Sequence, residues 1–210
     1  MIRIGLINYG MGNLTSISNV LDFYCVHYEF INYTDSEYIK SFDGYILPGV
    51  GSFKYAMDII NSSGLKDFIL REAYKNKPIL GICLGMQLLL DKSSEGGTSR
   101  GLSLVEGSVH KFDNSKFIIP HVGWNQVVFT SPHSTLYKGI DNSRDYYFDH
   151  SYYVQTHINN IIATTDYIKT FPAIINKNNI FGVQFHPEKS QIHGLEMIKN
   201  FISFCNISNA

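Results

Sequence analysis

The run Pro78-Ile79-Leu80-Gly81-Ile82-Cys83-Leu84-Gly85 constrains the fold of this chain more than any other stretch. Pro78 opens a short apolar segment, Ile79–Ile82, that reads as a buried strand. Met86, Leu88, Leu89 and Leu90 follow at once and read as a helix. A strand that passes straight into a helix through Gly-x-Cys-x-Gly is the elbow that presents a nucleophile at the top of an α/β sheet. The flanking glycines let neighbouring chain approach where a Cβ would clash, and the turn holds the central residue in a strained conformation. The Cys83 sulfur then stands at a helix start, where free N–H groups favour a thiolate. The N–H of Leu84, next after the nucleophile, is the natural oxyanion donor.

The rest of the first half repeats the pattern. Strands are expected at Arg3–Ile7, 28–31 and Gly44–Leu47. Leu14, Ile17, Leu21 and Tyr24 recur at helical spacing, with Asn13 or Thr15 placed to cap. Ser52 is placed to cap a second helix with Phe53, Ala56, Met57 and Ile60 on one face, and Phe68, Ile69 and Ala73 mark a third. Such alternation predicts a mostly parallel sheet with helices on both faces. The second half is β-rich, with strands expected at 105–110, 126–130, 146–154, 161–165, 172–176 and 180–185. Turns are expected at Gly107, Gly123, Ser131-Pro132-His133 and Asn178-Asn179, and Leu195, Ile198, Ile202 and Cys205 mark a last helix. The chain therefore reads as one α/β domain over 1–210, its sheet extended by an antiparallel section.

Composition narrows the function. The 210 residues carry 17 Lys+Arg against 18 Asp+Glu, a net charge of −1, without the basic excess of a phosphate-contacting nucleic-acid binder. No stretch approaches the ~20 apolar residues of a membrane span, and the start lacks a signal peptide's apolar core, so a cytoplasmic location is expected. Three scattered cysteines make neither a disulfide framework nor a zinc pair. Cys25 and Cys205 read as packing residues on apolar helical faces. His27, His110, His133, His157 and His193 have no partner at ligand spacing and read as structural or exposed. Gly10-x-Gly12 lacks the third glycine of a dinucleotide fingerprint, and the glycines at 49 and 51 lack a P-loop's Lys-Ser/Thr ending.

A second motif completes the chemistry. Gly182-Val183-Gln184-Phe185-His186-Pro187-Glu188 ends a predicted strand, and residues 186 and 188 point to one side of an extended chain. His186 is placed to act as base toward Cys83, and Glu188 to orient the imidazole and balance its charge.

With Gly81-Ile82-Cys83-Leu84-Gly85-Met86-Gln87-Leu88, this motif resembles the triad-type, class I glutamine amidotransferases. Gly10-Met11-Gly12-Asn13-Leu14, Leu47-Pro48-Gly49-Val50-Gly51, Pro120-His121-Val122-Gly123-Trp124-Asn125, His150-Ser151-Tyr152 and Pro187-Glu188-Lys189-Ser190 narrow the resemblance. They are similar to the glutaminase subunits of imidazole glycerol phosphate synthases in histidine biosynthesis. The resemblance implies a flavodoxin-like fold and hydrolysis of L-glutamine by Cys83, His186 and Glu188, with no cofactor and no metal. It implies a second oxyanion donor at Val50 once a peptide has flipped. It places Gly49, Gly51, Gln87, Glu95, His150, Ser151 and Tyr152 around the glutamine, and Asn13, Trp124, Tyr147 and Lys189 against a (β/α)8-barrel cyclase that receives the ammonia. Asp149 departs from the family's apolar residue there. A paralogue of the same build, supplying ammonia for an amidino sugar of a surface polysaccharide, is the alternative. A silent binding module and a cysteine peptidase are less compatible with these motifs.

Overall fold

The computed structural model describes residues 2–32, 42–113, 117–130 and 134–208; the turn expected at Ser131-Pro132-His133 lies outside them. In chain order the elements are β1 Arg3–Ile7, α1 Leu14–Phe23, β2 His27–Ile31, β3 Gly44–Leu47, α2 Phe53–Ser62, α3 Leu65–Tyr74, β4 Ile79–Ile82, α4 Leu84–Leu88, β5 Lys92–Ser93, β6 Ser99–Arg100 and β7 Gly107–Lys111. They continue with β8 His121–Phe129, β9 Ser143–His150, β10 Tyr152–Thr156, β11 Ile161–Asp166, β12 Thr170–Lys177, β13 Ile180–Val183 and α5 Gln191–Ile207.

The large sheet runs β2-β1-β3-β4-β13-β12-β11-β8-β9. Its β2-to-β13 half is parallel throughout, and every pairing from β13 to β9 is antiparallel. Alternation along the parallel strands splits the core. Ile4, Leu6, Ile46, Leu80 and Ile82 pack with Ile17, Leu21, Met197, Ile198 and Phe201 of α1 and α5. Ile7, Tyr45, Leu47 and Ile79 pack with Phe53, Met57, Ile60 and Phe68 of α2 and α3. The expected α/β layering is thus present, with the antiparallel extension on one side.

Several local readings need correction. Gly123, expected at a turn, lies within β8 opposite Phe148, and Ser52 stands at the start of α2 without a side-chain capping hydrogen bond. The single strand expected at 146–154 is two strands in different sheets: β9 ends at His150, Ser151 breaks the run, and β10 pairs instead with β7. With β5 and β6 they form a second, four-stranded sheet, order β10-β7-β5-β6. Two-residue strands carry too little periodicity to be read from a sequence. The helix after the elbow is only Leu84–Leu88, and Leu89 and Leu90 lie past it, fully buried. Cys25 is not a helix-face residue either. It lies in the turn after α1 with φ +54° and is exposed, whereas Cys205 is buried in the core.

The elbow is held by close backbone approach. A Cβ on Gly85 would sit 1.8 Å from the Leu47 carbonyl oxygen, so the first turn of α4 can rest on the end of β3 only without one. Gly85→Ala is expected to cost about 3 kcal/mol or more, because backbone rather than a flexible side chain must give way; urea unfolding of the purified chain measures it.

Candidate functional site

Three adjacent parallel strands deliver the site at their C-terminal ends. β3 leads into Pro48-Gly49-Val50, β4 into Cys83, and β13 into Gln184-Phe185-His186. Cys83 has φ +54° and ψ −109°, and its N–H donates to the Val183 carbonyl at 2.8 Å. It lines a cavity of about 260 Å³ with Val50, Gly51, Leu84, Gln87, Glu95, Pro120, Asp149, His150, Ser151 and Tyr152.

His186 Nδ1 and Glu188 Oε1 are 2.8 Å apart, both side chains almost fully buried. The chain from Pro187 to Lys189 is a 3-10 turn, so this turn rather than an extended strand brings the two side chains together. Burial opposes a charged imidazole, but hydrogen bonds to the Cys83 sulfur and the Glu188 carboxylate outweigh it and push His186 up to about 10. Glu188 Oε2 has no hydrogen-bond partner among the described residues, so His186 is the group that balances this carboxylate. The turn is pinned to the open edge of β9. The His186 N–H donates to the Tyr147 carbonyl at 2.8 Å, and the Tyr147 N–H donates to Ser190 Oγ at 3.0 Å.

The Leu84 N–H is engaged: it donates to the Gly49 carbonyl at 3.4 Å. Because a peptide's C=O and N–H point in opposite directions, the Val50 N–H of that peptide faces away from Leu84. Residue 49 must be glycine for this contact, since a Cβ would meet Tyr9 Oη at 2.2 Å and Leu84 Cβ at 2.9 Å. Tyr9 was not foreseen. It is buried, donates to the Pro48 carbonyl at 2.8 Å and holds the strand beside the elbow. Burial first, and the nearby Cys83 second, raise its pKa above the ordinary phenol value.

The pocket wall is a directional hydrogen-bond chain. Gln87 Nε2 donates to the Tyr152 carbonyl at 3.0 Å and to Gln184 Oε1 at 3.1 Å, which leaves Gln87 Oε1 free to accept from a ligand. His150 Nδ1 donates to the same Tyr152 carbonyl at 2.8 Å, so its Nε2 accepts, 3.0 Å from His121 Nδ1. His121 Nε2 then accepts from the Asn125 amide at 3.2 Å. His121, given no role by the sequence, thus stands behind the pocket, stacked between Phe148 and Tyr167. Glu95 Oε2 accepts the Phe53 N–H at 2.7 Å, tying the pocket to the start of α2.

Of the residues expected to face a partner, Trp124, Tyr147 and Lys189 come together. Trp124 and Tyr147 are opposite each other across β8 and β9, their rings 6.1 Å apart, and Lys189 Nζ lies 5.5 Å over the Tyr147 ring. Trp124 is 49% exposed. Asn13 sits at the start of α1, where its side chain caps the helix by accepting the Ser16 N–H. Asp149 is exposed beside that face, opposite Val122, and its carbonyl accepts the Cys83 S–H at 3.7 Å.

A thiol beside a charged-poised imidazole, a buried carboxylate and a small polar cavity together can perform acyl transfer from an amide. The class I glutamine amidotransferase family model matches residues 6–204, and the chain belongs to that family. Among curated relatives, the imidazole glycerol phosphate synthase subunit HisH of Halalkalibacterium halodurans is 43% identical over 204 residues, covering 94% of each chain. That of Caldanaerobacter subterraneus subsp. tengcongensis is 45% identical over 199 residues, covering 94% of this chain and 96% of the relative. The fold is similar to PurLQS from Thermotoga maritima, with TM-score 0.74 and 15% identity over 97% of this chain and 98% of that one. A further glutamine amidotransferase of Thermotoga maritima gives 0.65 and 15% over 99% and 85%.

Burial holds His121 down to about 4, and burial first among several causes holds His150 down to about 3. Both lie below the ordinary imidazole value of ~6.5, so the unfolded chain takes up protons that the folded chain refuses. The stability this pair contributes is complete above pH ~6.5 and is lost as pH falls toward those folded-state values. Both ring Cε1–H resonances are expected to keep their neutral-ring NMR positions down to about pH 5, His121 then titrating around 4; titration of either near ~6.5 would contradict their burial and the hydrogen-bond chain.

Proposed function

We propose that this chain is the glutaminase subunit of an imidazole glycerol phosphate synthase, hydrolysing L-glutamine and passing ammonia to a (β/α)8-barrel cyclase. The observation that carries the reading is the convergence of Cys83, His186 and Glu188 on one cavity, in a chain 43% identical over nearly its full length to a HisH subunit.

In this reading Cys83 attacks the side-chain amide carbon of glutamine. His186 gives a proton to the leaving nitrogen, ammonia departs, and a glutamyl thioester remains. Water then attacks the thioester with His186 as general base, regenerating the thiol and releasing glutamate. Glu188 holds the ring in place and stabilises its cation. The tetrahedral oxyanion needs two N–H donors, from Leu84 and Val50. Rotation of the Gly49–Val50 peptide frees the first and turns in the second. Gly49, Gly51, Gln87, Glu95, His150, Ser151 and Tyr152 hold the substrate, with Gln87 Oε1 suited to accept from the α-ammonium. Trp124, Tyr147 and Lys189 form the cyclase-facing surface, with Asn13 beside the elbow loop. One domain suffices for these roles, and phosphate recognition belongs to the partner.

Two outcomes follow. In the reconstituted complex with the matched cyclase, Cys83→Ala is expected to lower glutamate release by about 10⁴-fold or more, with unchanged assembly by gel filtration; equal release would sink the triad. Without the cyclase, glutaminase turnover is expected to be about 10²-fold or more below that of the complex, because the Gly49 carbonyl occupies the Leu84 donor. High partner-independent turnover would contradict the required rotation. Complementation of a histidine auxotroph together with its cyclase separates this reading from the amidino-sugar paralogue.

A further inference from the structure

Gln184 belongs to the second motif, two residues before His186, and is 0% exposed. Its side-chain nitrogen is 3.8 Å from the Cys83 sulfur. Whether an amide presents N–H or C=O to a neighbour is decided by its other partners, and here the decision propagates from a fixed end. The Tyr152 carbonyl can only accept. Gln87 must therefore turn Nε2 toward it, and that same NH₂ group donates its other hydrogen to Gln184 Oε1. With Oε1 engaged as acceptor, Gln184 has only N–H left to present to the sulfur. His150, donating to the same Tyr152 carbonyl, fixes the far end.

The sulfur is also donor-matched. As a thiol it gives its hydrogen to the Asp149 carbonyl, and as a thiolate it has lone pairs for the Gln184 amide on one side and the His186 imidazole on another. We propose that Gln184 is a further catalytic residue, whose side-chain N–H donates to the Cys83 thiolate and stabilises the nucleophile before attack. This rests on the thiol-nucleophile reading above. The other titratable groups facing the sulfur are His186 with Glu188 behind it, the Tyr9 phenol from the end of β1, and His150, Asp149 and Glu95 around the cavity. None of the carboxylates can donate, and the Tyr9 hydroxyl is spent on Pro48. The Ser151 and Tyr152 hydroxyls also line the cavity, but among the described residues Gln184 is the uncharged side-chain donor within hydrogen-bond distance of the sulfur.

The test reads the thiolate directly. Cys25→Ser removes the exposed cysteine; of the two buried ones Cys83 lines the cavity whereas Cys205 lies in the core, and iodoacetamide uptake is read on the Cys83 peptide itself by mass spectrometry. Gln184→Met keeps the volume and loses the donor; Gln184→Glu keeps the shape, loses the N–H and adds an acidic group beside the sulfur. In the cyclase complex, both are expected to raise the midpoint of the alkylation pH profile by roughly one unit or more and to lower kcat for glutamine about tenfold. In the unsubstituted chain, the Gln184 side-chain amide resonance should move with pH at the Cys83 alkylation midpoint and stop doing so after Cys83→Ala. A profile in either variant that superimposes on the parent, or an amide resonance indifferent to the Cys83 titration, overturns the proposal. Glutamate release that survives Cys83→Ala would instead remove the nucleophile reading beneath it.

Discussion

The strained turn at Cys83 organises the edge of the sheet that carries the candidate site. A non-glycine residue at φ +54° carries a backbone cost on the order of 1–3 kcal/mol, and persists only where its surroundings over-determine it. Here they do. β4 is paired in parallel on both sides, with β3 and β13, and the Cys83 N–H is tied to β13 through Val183. The first turn of α4 lies on the end of β3. Any shift of the elbow would have to carry three strands with it, and those strands supply the Gly49 carbonyl, the sulfur and the imidazole. α4 is barely more than one turn long, so its macrodipole is small. Individual donors near the sulfur matter more than the helix as a whole.

Two histidine systems share this edge with opposite polarity. His186 is pushed toward its charged form, against burial, by the Cys83 sulfur and by a buried carboxylate that has no other hydrogen-bond partner among the described residues. His150 and His121 are kept neutral first of all by burial, and protonation would take away the ring-nitrogen acceptors that their relay uses. In the proposed reaction the first system moves protons during turnover. The second holds Tyr152, and through it the orientation of Gln87 and Gln184. Polar groups buried this deeply specify structure only when each one is satisfied.

The sequence carried the parallel half of the fold almost entire, because the buried strands and the periodic helices signal themselves locally. It also placed every residue that now lines the cavity except Pro120 and Asp149. What it missed depends on contacts between distant segments. The small second sheet is built from strands as short as two residues, and the break at Ser151 exchanges one sheet for another without any Gly or Pro to mark it. Tyr9 and His121 acquire their roles only by packing. Gln184 did carry a signal: it precedes His186 by two residues, the same parity that was read from His186 to Glu188.

The clamp between the catalytic turn and β9 has a consequence for solubility. β9 is the last strand of the large sheet, and an unprotected last strand invites another chain to pair with it. At Tyr147 both backbone groups are already spent, the carbonyl on His186 and the N–H on Ser190. The segment that carries His186 therefore also covers this edge at Tyr147, so loosening that turn would expose a pairing position of β9 as well as displace the imidazole.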